Sequence, residues 1–164
     1  MKILNKKDKN ISGFMMVEIL IATSIMLVVV LASMSVVQKG IAISYQSLHS
    51  TEAAYLLEEG GEAVRILRDG AWTNISNLSI GTTYYPTYAG STWTMSTTPN
   101  QIDNFTRTVV VSAVNRDSGS GDIVSSGGTP DTGTKLITVT VSWQESGRSM
   151  SKSLSFYISD IFSS

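Results

Sequence analysis

The chain contains no cysteine, which excludes disulfides, cysteine-ligated metals and lipid attachment through a thiol. His49 is the only histidine, so no histidine pair exists to hold zinc. No Gly-x-Ser-x-Gly elbow, phosphate loop or dinucleotide fingerprint occurs. Counting alone leaves a Ser-His-Asp arrangement open, because serines abound. His49, however, falls in a helical pattern among Ser47, Ser50 and Thr51 and is read as an exposed helical residue. Proline is absent before Pro86, so no proline kink is expected upstream. Charge is scarce at 15% of residues, and the formal net charge of −1 directs nothing towards nucleic acid. These absences predict a non-enzymatic chain without cofactor, metal or nucleic-acid partner.

What is present begins with an apolar run over residues 14–37. Glu18 is its only charged residue, and neither proline nor glycine interrupts it. About 24 residues at 1.5 Å rise make a helix of about 36 Å, enough to cross a hydrocarbon core of about 30 Å. A carboxylate at the bilayer centre costs about 2.5–3.5 kcal/mol and less near an interface, so Glu18, one turn inside the run, needs explaining. Ahead of the run, Lys2, Lys6, Lys7 and Lys9 outnumber Asp8. That excess keeps the N-terminal end cytoplasmic and places the remainder outside the cytoplasm. An ordinary secretory signal has a shorter apolar region of about 7–15 residues, although Ser33 and Ser35 offer a weak site for such a cut. An uncleaved signal anchor is the other alternative.

Gly13, Phe14 and Glu18, followed by the apolar residues to 37, resemble the type IV prepilin and pseudopilin family. Its members are subunits of type IV pili and of type II secretion and DNA-uptake filaments. The shared pattern is a short basic leader ending in Gly, a Phe that becomes the new N-terminus, a Glu at the fifth mature position, and a long apolar helix. The match is firm to about Gly40, weaker to Gly70 and architectural beyond. The resemblance implies that a prepilin peptidase cuts between Gly13 and Phe14 and methylates the Phe14 amine. It implies that Glu18 pairs with the Phe14 amine of a neighbouring subunit, as a register device more than a source of net stability. Glu18 as a merely interfacial, solvated group is the plain alternative. Implied partners are other pilins or pseudopilins, the peptidase, membrane lipid before assembly and, indirectly, a platform protein and an assembly ATPase. Small residues in the run (Ala22, Thr23, Ser24, Ala32, Ser33 and Ser35) let helices approach closely. The chain departs from many major pilins in lacking a C-terminal disulfide, and from many members in lacking a helix proline. Gly40 is then the first expected flexible point. Residues 52–68, centred on Glu-Gly-Gly-Glu-Ala-Val-Arg, look like PilV-like and type II secretion I-type minor subunits, which favours a minor subunit.

The expected fold class is α+β, a long N-terminal helix packed on a small C-terminal antiparallel sheet. Residues 1–13 are the leader, 14–37 the transmembrane or filament-core helix, 38–70 its amphipathic continuation and 71–164 an extracytoplasmic sheet domain. Ile41, Tyr45, Leu48, Tyr55, Leu56, Ala63, Ile66 and Leu67 form the expected apolar stripe, with Gly70 as C-cap. At Gly60-Gly61 the helix either bends or meets a strand at close range. Alternation predicts strands over 105–114, 137–143 and 150–158, with Lys152 intruding on an apolar face and a hairpin turn at Glu145-Ser146-Gly147-Arg148. Shorter strands are expected near 82–85 and 93–96. Trp72, Tyr84, Tyr85, Tyr88 and Trp93 are read as core and sheet-surface groups. Residues 115–134 read as a mobile loop by composition. Some pseudopilins bind calcium in a late loop, and Asp117, Asp122 and Asp131 offer oxygen ligands, but their spacing matches no EF-hand and a solvated loop is favoured. The rival to a filament subunit is an uncleaved, single-pass anchored protein whose outer domain binds a ligand.

Overall fold

The structure, a computed structural model, describes residues 12–162; the basic leader residues Lys2, Lys6, Lys7 and Lys9, with Asp8, lie outside them. The fold is α+β, as the periodicities require. Ser12–Gly70 form α1, an uninterrupted helix of 59 residues. No proline removes a backbone donor along it, and it passes through Gly40 without a break. Gly70 ends it, and the Leu67 carbonyl left over there accepts bonds from Ala71 N at 3.2 Å and Asn74 Nδ2 at 2.9 Å. One turn of helix that the composition does not announce follows, α2 (Thr73–Ser76), which folds Ile75 fully into the core.

The chain divides into two units between Ser47 and Leu48. The second holds seven antiparallel strands: β1 (Thr83–Ala89), β2 (Thr92–Ser96), β3 (Gln101–Ile102), β4 (Phe105–Arg116), β5 (Ile123–Val124), β6 (Thr129–Glu145) and β7 (Arg148–Ser159). Their order is β2-β1-β4-β6-β7, with β3 and β5 also paired to β4. Val109, Val111, Ile137, Val139 and Val141 are fully buried, so the alternation in β4 and β6 marks the inner face as expected. The opposite face is hydroxyl-rich, with Thr138 and Thr140 bonded to Ser155 and Ser153 at 3.0 and 2.9 Å. The β6–β7 hairpin turns on Ser146 and Gly147, both at positive φ (49° and 76°), the conformation that a two-residue type I′ turn needs.

Three expectations need correction. Ala113 is exposed and Val114 buried, because the β4–β6 register slips between them and reverses the alternation. Residues 115–134 are not one loop: β5 and the start of β6 lie within them. Arg116 ties that region down, donating to Asp131 Oδ2 at 2.6 Å, to the Gly121 carbonyl at 2.9 Å and to Thr134 Oγ1 at 3.3 Å. The helix stripe is right at Ala63 and at the core-packed Leu56 and Leu67, and wrong at Tyr55 and Ile66. Within the second unit the buried face is Ala53, Leu57, Gly60, Gly61, Ala63 and Val64, while Tyr55 and Ile66 are 68% and 51% exposed. Small side chains are inside because a strand runs close by. A Cβ on Gly60 would stand 2.7 Å from Val139 Cγ1, so close approach is what Gly60 serves, whereas a Cβ on Gly61 would meet Phe156 at an ordinary 3.7 Å.

Candidate functional site

Gly13 and Phe14 lie near the start of the described part of α1. Glu18 follows Phe14 by four residues, which sets the two on one face of the helix. Both are exposed, Phe14 at 81%. The helix is exposed and apolar around its circumference through Val37, and it is a candidate membrane span by length and composition. Its hydroxyls do not spoil that surface. Thr23 and Ser24 donate to the carbonyls of Ile19 and Leu20 at 2.8 and 2.6 Å, and Ser33 and Ser35 to those of Val29 and Leu31 at 2.8 and 3.1 Å. Each polar hydrogen is spent within its own helix, which lowers the cost of placing it in hydrocarbon. Glu18 is the one charged side chain on this stretch.

In the second unit, charged groups sit where the helix meets the sheet. Arg107 is 3% exposed; it pairs with Glu59 Oε2 at 2.6 Å and lies 5.2 Å from the centre of the Trp93 ring. It follows Phe105 and precedes Val109 in the inward phase of β4, so the alternation already placed it inside; its charge disguised it. Lys152 does intrude on the inner face, and its Nζ donates to the Ser50 carbonyl at 2.9 Å. Glu62 pairs with Arg65, whose guanidinium lies over Phe156, while Asp69 pairs with Arg68. His49 is not a plain exposed residue. Its side chain is 28% exposed, its Nδ1 is 3.6 Å from Glu145 Oε1 and its ring stands edge-on to Phe105. Trp143 Nε1 donates to the same Glu145 at 3.2 Å. The end of β6 covers this turn of the helix, which local sequence could not reveal.

The aromatic residues separate. Tyr84 is buried with its hydroxyl accepting from Ser79 N at 2.8 Å, while Tyr88 is exposed and tilts against Trp93 at 5.3 Å. Two of the three aspartates named for calcium, Asp117 and Asp131, have carboxylates engaged by the protein itself. Asp117 accepts from Ser120 N and Gly119 N at 2.8 and 2.9 Å, and those two amides hold its carboxyl below the usual range. Asp131 is held below it chiefly by Arg116, with Thr134 adding. Among the described residues no group of three or more His, Asp or Glu side chains is placed to hold a metal.

A groove of about 420 Å³ lies between α1 and the β3–β4 turn, with Leu56 and Phe105 in its wall. Glu52, Tyr55 and Asp103 also line it. No family model matches the chain, and neither a curated protein nor a solved structure matches it significantly.

Proposed function

We propose that the chain is a non-enzymatic, minor subunit of a type IV pilus or a type II secretion-like filament. In this account it is inserted as a single-pass membrane protein, with its leader cytoplasmic and its sheet domain outside. A prepilin peptidase cuts it between Gly13 and Phe14 and methylates the new amine. The subunit then leaves the lipid and packs among other pilins or pseudopilins through the 14–37 helix, driven indirectly by a platform protein and an assembly ATPase. The observation that carries the proposal is the solitary carboxylate of Glu18, one turn beyond Gly13-Phe14 on an otherwise apolar helix whose hydroxyls are internally bonded. A positive amine from a neighbour's Phe14 would neutralise Glu18 in an apolar interior. That pairing selects one axial register, because a displaced helix leaves a buried charge alone.

Glu18→Ala tests the assembly role. Leader removal proceeds nearly as in the unaltered chain, while incorporation into filaments, read by shearing and immunoblotting in a system shown to require this subunit, falls to background. Unchanged incorporation of Glu18→Ala into filaments refutes the register role of Glu18.

A further inference from the structure

We propose that the groove between α1 and the β3–β4 turn receives Arg148 from a second copy of this chain; the inference rests on the filament-subunit reading and names a contact within it. The groove combines an aromatic and aliphatic wall with two carboxylates. Tyr55 is 68% exposed beside it, Phe105 and Leu56 line it, and Glu52 and Asp103 are exposed at its rim. The turn carrying Asp103 is fixed: Asp103 sits at φ 53°, and Asn104 Nδ2 donates to the Gln144 carbonyl at 3.0 Å. Among the described residues neither carboxylate forms an ion pair, unlike Glu59, Glu62, Asp69 and Asp131, which pair with arginines. Aromatic faces beside carboxylates suit a planar cation on an apolar stem, which can stack on the ring and bind an acid in bidentate fashion.

The chain displays such a group. Arg65, Arg68, Arg107 and Arg116 are each paired with an acid, and Lys152 with a carbonyl. Among the described residues Arg148 is the one arginine without an acidic partner, and it is exposed beside the Ser146-Gly147 turn of the β6–β7 hairpin. The hairpin adjoins the groove, with Asn104 bonding the Gln144 carbonyl and His49 lying 3.6 Å from Glu145, but the two share no residue, so the groove of one copy takes the hairpin of the next head-to-tail. Such contacts add subunits without closing into a two-fold dimer, as a growing filament requires.

The native chain lacks cysteine, so introduced thiols report without background. Two differently tagged full-length copies, one carrying Thr51→Cys, next in sequence to Glu52 of the groove, and one Ser149→Cys beside the hairpin, are co-expressed in the producing cell and treated with a short bismaleimide. An adduct bearing both tags is expected in filaments, and Arg148→Glu in the second copy lowers its yield by about tenfold, the scale of losing one central charged interface residue. Glu52→Lys with Asp103→Lys in the first copy restores it. Yield insensitive to these charges, or no adduct although both copies sediment with filaments, overturns the contact and leaves the filament reading standing. Absence of the unaltered chain from the filament fraction removes both.

Discussion

Gly60→Ala destabilises the sheet domain, whereas Gly61→Ala, one residue along, stabilises it. Both glycines are buried in the middle of α1, and both forgo about 1 kcal/mol of helix propensity relative to alanine. Only the surroundings differ. At Gly60 the new methyl would lie 2.7 Å from Val139 Cγ1 and 3.0 Å from Arg107 Cδ. Val139 is β-branched and fully buried, and Arg107 is pinned by Glu59, so neither yields readily. Overpacking of this kind costs about 1–3 kcal/mol, which outweighs the gain in propensity, and Gly60→Leu costs about 3 kcal/mol or more. At Gly61 the nearest atoms are Phe156 Cε1 and Cζ at 3.7 and 3.9 Å, ordinary contact, so the propensity gain survives at up to about 1 kcal/mol. Tryptophan fluorescence during unfolding of the detergent-solubilised chain reads this domain alone, because Trp72, Trp93 and Trp143 all lie beyond residue 47. Shifts of the same sign for the two alanine variants would contradict the packing described.

Arg107→Ala is expected to cost about 2–4 kcal/mol, on the scale of truncating a large buried side chain. The stem fills the space beside Gly60, and the guanidinium donates to Glu59 at 2.6 Å and to the Leu56 and Pro86 carbonyls at 3.4 and 3.5 Å. Arg107→Met keeps most of the stem and removes the buried charge, so it loses less than Arg107→Ala; replacing a buried ion by a packed apolar group is often near neutral. Glu59→Gln costs about 1 kcal/mol or less, since Glu59 is half exposed and water screens the pair. The same fluorescence measurement ranks the three variants. A loss for Arg107→Met as large as for Arg107→Ala would show that charge, not volume, holds the helix on the sheet.

The elements that repeat a simple period were legible in the sequence. The apolar run, the alternation of β4, β6 and β7 and the I′ turn each announce themselves within a dozen residues. What escaped depends on neighbours distant in sequence. On α1 the apolar spacing identifies Leu56, Ala63 and Leu67 on the core side but puts Tyr55 and Ile66 there too, because it weights large residues over small ones, whereas close approach of Val139 demands Gly60. The bulge at Ala113–Val114 leaves no local mark, since both residues are apolar enough for either face. Residues 115–134 have the composition of a loop, yet Arg116 and Asp131 organise part of them into strands. His49 lost its exposure to Phe105 and to Glu145, residues far along the chain. The candidate site is the reverse case. Gly13, Phe14 and Glu18 are adjacent in sequence and share one helix, so their spacing could be read directly, while the groove, assembled from residues 49–56 and 102–105, could not.

The most direct test of the filament-subunit account is mass spectrometry of the N-terminal peptide from native membranes, with and without the prepilin peptidase. The account predicts a peptide beginning at N-methylated Phe14 that disappears when the peptidase is absent. An intact leader in the presence of an active peptidase would contradict it and leave an anchored binding protein. A cut beyond Val30 would contradict it differently, as ordinary secretion.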